Sequence, residues 1–324
     1  LYQALLDHFL RLGLPEEGAR AFADILLEAE LEGLRSHGLA RLPIYTAQLE
    51  RGGLNPRPQM RLSRVRPSLL LLEADGAPGP WAGLRAVEAL VPVVQDQGIA
   101  AIAVRDAGHV GPLGPYVRRL AQAGLIGMAF ANTPPALAPG PVLGTNPLAL
   151  AAPMEPEPLV VDLALSVVSR GKILEHALQG KPIPEGWAVN CEGLPTTDPK
   201  AALDGALLPI GGHKGIALAI LVEVLAGVQA GRVLSVDVPF PWKNPERPVY
   251  PGLFLVGVAP LDIEGLKDML CRLEGFLVNA GGRLPGRGRA SKKRDVWRSG
   301  LELPHWLQGF FSAGVGSFRE EDES

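Results

Sequence analysis

Six histidines occur in the 324 residues, and one lies in the segment SHGLARLPIY among groups able to handle a small organic acid. Ser36 adjoins His37, and Arg41 and Tyr45 follow the histidine at steps of four. Imidazole titrates near neutrality, so it can give or take a proton. A guanidinium grips a carboxylate with two N–H groups at once, and a phenol hydroxyl can hold a second oxygen. By itself a histidine at a helix start reads as a surface or packing residue. Its company suits a 2-oxo or 2-hydroxy acid, with Arg41 on the carboxylate and His37 on the reacting oxygen.

Three more segments carry candidate chemistry. In RDAGHVGPLGPY, His109 follows an apolar run and precedes a helical pattern, with Gly108 and Gly111 leaving room for close approach of a ligand. Loops at the carboxyl ends of strands are where α/β folds place their chemistry; the bland reading is a helix-entry turn. In PLVVDLALSVVSRGK, Asp162 interrupts an apolar strand and requires a partner. A histidine needing orientation would serve. Ser166 and Ser169 precede or begin a helix, where they could face a phosphate or simply cap the helix. In LLPIGGHKG, His213 and Lys214 open an apolar helix after two glycines. A lysine there opposes the helix dipole unless a bound anion compensates it.

What is missing narrows the chemistry further. There is no GxGxxG after a strand, no GxxxxGK[ST], no HExxH and no GxSxG. These absences argue against a Rossmann fingerprint, a P-loop, a zinc protease and a hydrolase elbow, and no metal is expected. A net charge of −3 provides no basic field for nucleic acid. Two cysteines, Cys191 and Cys271, lie far apart without CxxC spacing, as in a reduced cytoplasmic protein. The opening residues lack the basic-then-apolar pattern of a leader. The richest apolar run, GIALAILVEVLAG, is too short to span a bilayer and contains Glu223, so no membrane partner is expected.

The elements that must position these residues follow from periodicity. LYQALLDHFLRLG and PEEGARAFADILLEAELEG read as helices. A third begins near Ala40 or Arg41, because Pro43 is tolerated only in a first turn. From about residue 67, strands and helices alternate: strand PSLLLLEAD, helix 81–98, strand 99–106, helix 112–124 and strand 125–132. PLALAAP and PLVVDLAL are further strands, joined by turns too short for a helical crossover, so at least part of the sheet is antiparallel. Residues 180–212 show little pattern, which in a compact domain suggests function. HKGIALAILVEVLAG reads as a buried helix, LFLVGV as a strand and EGLKDMLCRLEGFLVNAGG as a helix. The fold class is α/β.

The motifs SHGLARLPIY, GHVGPLGPY, LGTNPLALAAP, VVDLALSVVSRGKI, IPEGWAVNCEGLPTTDP and LLPIGGHKGIALAILVEVLAG occur in the order found in the type-2 malate/L-lactate dehydrogenase family, which the chain resembles to about residue 290. Ureidoglycolate, sulfolactate and diketogulonate oxidoreductases and cyclic imino-acid reductases belong to the same family. The resemblance implies a non-Rossmann NAD(P)-binding fold, with a mostly antiparallel central sheet, helical N- and C-terminal segments, and a homodimer. It places the catalytic role on His37 with Ser36 beside it, on His109 as second acid/base, and on Asp162 as a charge-balancing carboxylate. Arg41 and Tyr45 fall at substrate-binding positions.

The cofactor, NAD or NADP, is implied to contact Asn132, Thr145, Leu163, Ser166, Ser169, Lys172, His213, Lys214 and a late turn of Pro285, Gly286 and Arg287. Two departures bear on specificity. Arg287 stands where relatives often carry glutamate, which could leave space for a 2′-phosphate, and Ala-Gly in place of Ser-Asn precedes His109. The expected organisation is an N-terminal helical segment (1–66), an α/β cofactor-binding core (67–285) and a C-terminal helical segment (286–324). The expected activity is hydride transfer between NAD(P)H and a small 2-oxo/2-hydroxy acid resembling malate or lactate. Rivals are an imino-acid or ureidoglycolate-type enzyme of the same family, a hydrolase or lyase using the same histidines, and a non-catalytic metabolite-binding protein.

Overall fold

The computed structural model describes residues 1–248, 250–288, 293, 296, 300–301, 303 and 305–312. Three helices open the chain: α1 (Tyr2–Arg11), α2 (Glu16–Leu31) and α3 (Leu42–Glu50). Gly13, with φ of 90°, turns the chain after α1. Glu16 and Glu17 occupy the first turn of α2, where they complement the helix dipole. Between α2 and α3, two single 3₁₀ turns, Arg35–His37 and Leu39–Arg41, carry the SHG motif. Leu5, Phe9, Phe22, Leu42 and Tyr45 close the core of this part, and Leu307 and Phe310 of the C-terminal helix His305–Ser312 pack into the same cluster. Most of the expected segment 286–324 lies outside the described residues.

The centre is a seven-stranded sheet, built from β1 (Arg61–Arg66), β2 (Leu69–Ala77), β3 (Ile99–Ala107), β4 (Ile126–Ala131), β5 (Leu148–Ala152), β6 (Leu159–Leu163) and β10 (Leu253–Val258). The spatial order is β1-β2-β3-β10-β4-β5-β6. Only β2 and β3 run parallel, joined by the crossover helix α4 (Gly79–Gln97). Every other pair is antiparallel. β10 slots between β3 and β4, pairing Leu255 with Ile102 on one side and Ala129 on the other. Helices α4 and α5 (Gly114–Gln122) bury Leu90, Tyr116, Val117 and Leu120 against the sheet.

Several expectations change. β1 was not anticipated; all six residues of RLSRVR are exposed, so it has no apolar face to create a period-2 signal. Its arginines suit an open sheet edge, which charge protects from pairing with another chain. Residues 180–212 contain a three-stranded sheet, β8-β7-β9 (Pro195–Thr196, Ala188–Val189, Ala206–Leu207), and α7 (Pro199–Asp204). Two-residue strands are too short for periodicity to register.

The helix expected to be buried is largely exposed on one side. Helix α8 (His213–Val222) continues as a π-helix over Glu223–Gly231. Together they form a run of 19 residues with mean hydropathy 1.6, long and apolar enough by composition to cross a membrane and longer than the sequence suggested. Ala219, Val222, Ala226 and Ala230 face the protein interior, whereas Ile220, Leu221, Val224 and Val228 lie 45–52% exposed.

Candidate active site

The SHG turn and the loop after β3 meet. Tyr45, one turn into α3, points its hydroxyl at His109, with 2.8 Å from Oη to Nδ1. The His37 and His109 rings lie 5.9 Å apart at 28°. Gly111 N–H also donates to His109 Nδ1, at 3.3 Å. That nitrogen is therefore an acceptor, and the neutral ring carries its proton on Nε2. Burial, with the charges of Arg41 and His37 nearby, holds the His109 pKa well below the usual histidine value. His109 is thus a neutral hydrogen-bond donor rather than a store of protons.

Ser36 Oγ lies 3.0 Å from His37 Nδ1; a neutral ring accepts there from the serine hydroxyl, and an imidazolium donates to it. Arg41 Nε donates to Ser36 O at 2.7 Å, which directs the guanidinium back along the turn. Burial lowers the Arg41 pKa, opposed by Tyr45, and no carboxylate among the described residues pairs with the group. Burial likewise raises the Tyr45 pKa, opposed by Arg41, so the phenol stays protonated.

Asp162 lies on β6. Its carboxylate accepts the N–H of Gly114, at 2.8 Å, and so secures the first turn of α5, the helix that follows the His109 loop. Glu28 of α2 bridges both Arg118 and Arg119 of α5, with 3.0 Å to Arg119. The element leading into His37 is thereby tied to the one following His109.

The expected cofactor residues fall into two groups. Backbone hydrogen bonds knit Leu165 to Thr145 and Ile210, and Val167 to Leu208, so the segments bearing Thr145, Leu163, Ser166, His213 and Lys214 form one surface. Gly211 and Gly212 both have positive φ before α8, leaving its first turn open with His213 and Lys214 exposed. Asn132 Nδ2 donates to Val233 O and its Oδ1 accepts Gly252 N–H, so its side chain holds backbone. Ser169 Oγ accepts Lys172 N–H at 3.2 Å and caps α6 (Arg170–Leu178); Ser166 Oγ donates to Val168 O at 2.7 Å. Ser169 thus takes the capping role, whereas Ser166 closes a turn ahead of the helix. Gly171 bridges the groups, because a Cβ on it would come within 2.9 Å of Ser36 Cβ. The cofactor-side helix therefore packs directly on the SHG turn.

The late turn packs on β6, where a Cβ on Gly286 would meet Val160 O at 2.5 Å. Arg287 is engaged within the protein. Its Nε and Nη2 fork onto Glu274 at 2.7 and 2.9 Å, and Nη1 donates to Glu157 O at 3.2 Å. That leaves the backbone of the turn, rather than the arginine charge, as what it presents to a ligand.

Two aromatic residues at the site were not singled out from the sequence. Trp242 lies 6.0 Å from the Arg41 guanidinium, Phe240 lies 5.4 Å from that of Arg170, and the two rings are 4.9 Å apart. The signal was the aromatic pair in the loop VPFPWK, which has no periodicity to mark it. Among the described residues no group of three or more His, Cys, Asp or Glu is placed to hold a metal ion.

A family model described as malate/L-lactate dehydrogenase matches residues 1–294. The chain belongs to the malate/L-lactate dehydrogenase family. It is 38% identical over 300 residues to a (2R)-3-sulfolactate dehydrogenase (NADP(+)) of Chromohalobacter salexigens, covering 90% of each chain. It is 36% identical over 316 residues to a Δ1-pyrroline-2-carboxylate reductase of Pseudomonas fluorescens, covering 94% of this chain and 93% of the relative. Its fold is similar to the crystal structure of a dehydrogenase from Sinorhizobium meliloti, with a TM-score of 0.89, 34% identity, and coverage of 96% and 95%. In this malate/L-lactate dehydrogenase family member, then, the SHG turn, the His109 loop and the knitted surface around Thr145 form a single region.

Proposed function

We propose that the cluster of His37, Arg41, Tyr45 and His109 interconverts a small 2-oxo acid and its 2-hydroxy acid with NAD or NADP. Family membership makes the chain an NAD(P)-dependent oxidoreductase of 2-hydroxy acids. One observation carries the assignment of residues: a desolvated guanidinium with no carboxylate partner among the described residues, beside two imidazoles. A partly buried, desolvated cation left uncompensated is costly, and a substrate carboxylate would compensate it. Arg41 grips that carboxylate with its terminal N–H groups. His109, neutral and held by Tyr45, donates a hydrogen bond from Nε2 to the carbonyl oxygen. His37, as the imidazolium with Nδ1–H donating to Ser36 Oγ, delivers its Nε2 proton as the hydroxyl forms, and the neutral imidazole takes it back in the reverse direction. Asp162 supports the charged His37 imidazole while anchoring α5.

The cofactor is proposed to lie on the surface of Thr145, Leu163, Ser166, His213 and Lys214, reaching Asn132, Ser169 and Lys172. Its far end meets the backbone of Pro285, Gly286 and Arg287. Two consecutive glycines open the first turn of α8, and the positive end of its dipole suits a phosphate there. When bound, the reduced nicotinamide supplies the hydride. Strand β10 inserted between β3 and β4, with a single parallel pair, supports a cofactor fold distinct from the Rossmann sheet. We read residues 1–66, 67–285 and 286–324 as the three working segments. The exposed stripe Ile220, Leu221, Val224 and Val228 supports a homodimer burying it against a second copy. Two exposed, unpaired cysteines fit a reducing, cytoplasmic setting.

Titration with NADH and with NADPH, followed by fluorescence, tests cofactor binding. Loss of the reduced nicotinamide's near-ultraviolet absorbance with pyruvate, oxaloacetate and bulkier 2-oxo acids tests turnover. Binding without turnover would favour a metabolite-binding protein, and no binding would favour a hydrolase or lyase.

A further inference from the structure

Glu223 is the one acid in the apolar run His213–Gly231, and it is only 6% exposed. Its Oε1 accepts Ser235 N–H at 2.6 Å, and its Oε2 accepts Ser235 Oγ–H at 2.6 Å and Asn146 Nδ2–H at 2.7 Å. Ser235 is itself fully buried. On the far side, Asn146 Oδ1 accepts Thr133 N–H at 3.2 Å, and the Thr133 and Thr145 hydroxyls lie 3.3 Å apart. From Ser235 the chain makes one 3₁₀ turn, Ser235–Asp237, and passes straight to Phe240 and Trp242, the rings set against Arg170 and Arg41. The carboxylate thus grips the root of the aromatic loop, and it does so at the start of a π-helix, a feature frequent at functional sites.

An ionised carboxylate is acceptor-only, so it orients three donors without competition. We propose that Glu223 is a positioning residue, acting through Ser235 to hold the loop 238–243 against Arg41 and so setting the grip on the substrate carboxylate. This rests on the reading of Arg41 as the carboxylate-binding group. Glu223→Gln keeps the shape but turns one oxygen into a donor, so donor faces donor.

The test is Glu223→Gln, Trp242→Ala and the double variant. In Glu223→Gln the KM for a 2-oxo acid should rise about tenfold, the order expected for one unpaired buried donor. Its kcat should stay within about twofold. In the double variant the KM should be no higher than in Trp242→Ala alone, because both changes act through one contact. Hydrogen exchange should quicken over residues 236–248 in Glu223→Gln while the central strands keep their protection. Ser235→Ala, which removes one of the three bonds, should shift KM and exchange the same way by less, and serves if the first variant does not fold. Effects on KM that multiply in the double variant, or unchanged exchange over 236–248, would overturn the proposal. If the unaltered protein turns over no 2-oxo acid, the reading of the site fails, while the exchange comparison still decides whether Glu223 positions the loop.

Discussion

The Tyr45 hydroxyl stands 2.8 Å from Nδ1 of His109, joining residues 64 positions apart in the chain. This bond fixes the tautomer of His109, because Gly111 N–H competes for the same nitrogen only as a donor. Tyr45→Phe keeps the ring that packs 4.8 Å from Phe22 but releases the imidazole. We expect kcat/KM for a 2-oxo acid to fall about tenfold, in line with loss of one buried hydrogen bond. The melting temperature should change little. Steady-state kinetics alongside a thermal melt check both.

His37→Ala removes the proposed proton donor while His109 stays in place. Loss of general acid help should cost about 10²–10⁴ in turnover, with the dissociation constant for NAD(P)H unchanged. Undiminished kcat would move the acid role to His109, a transfer at odds with its low proton affinity.

Arg41→Lys keeps the charge and loses the fork. KM for carboxylate substrates should rise, because an ammonium cannot reproduce two parallel N–H bonds, and the loss of Nε also frees Ser36 O. An unaltered KM would remove Arg41 from substrate binding.

His8 offers a pH test remote from the site. It is 3% exposed, and its Nε2 lies 2.8 Å from Thr46 Oγ. That hydroxyl donates its own proton to Leu42 O, so the histidine must be the donor, neutral with its proton on Nε2. Burial, with Arg11 adding to it, lowers its pKa from 6.5 to about 4. Between those values the unfolded chain binds the proton and the folded protein does not. The stabilisation is therefore full above pH 6.5 and is lost as the pH falls toward 4. The loss is at most about 3 kcal/mol. His8→Gln, which retains a donor, should flatten the dependence of melting temperature on pH across that window. His109, also held neutral by burial, keeps the slope from vanishing. A calorimetric series with unchanged slope would refute this account.

The apolar stripe on α8 and its π-helical continuation supplies the test of assembly. Val224→Glu places a charge on an exposed position of the isolated chain, where folding should tolerate it. Burial against a second copy would not tolerate it, so light scattering should report a dimer for the unaltered protein and a monomer for the variant.

The types of residue available for chemistry, their order, and the helices and strands around them were legible in the amino-acid sequence, because each depends on near neighbours. Examples are Pro43 in the first turn of α3, the helix α5 opening after His109, and the short β5–β6 connection that forces antiparallel pairing. β1 was invisible because no face of it is buried, and β7 to β9 because two residues carry no period. Only the tertiary structure decided which groups meet. Sheet order placed β10 between β3 and β4, and helix packing brought Tyr45 to His109, Gly171 to Ser36 and Asp162 to Gly114. It also turned Arg287 inward onto Glu274 and gave Glu223 three donors drawn from Ser235 and Asn146. Periodicity records which side of an element is apolar. Which distant partner covers that side, and which lone pair a donor finds, is settled by the packing of the whole chain.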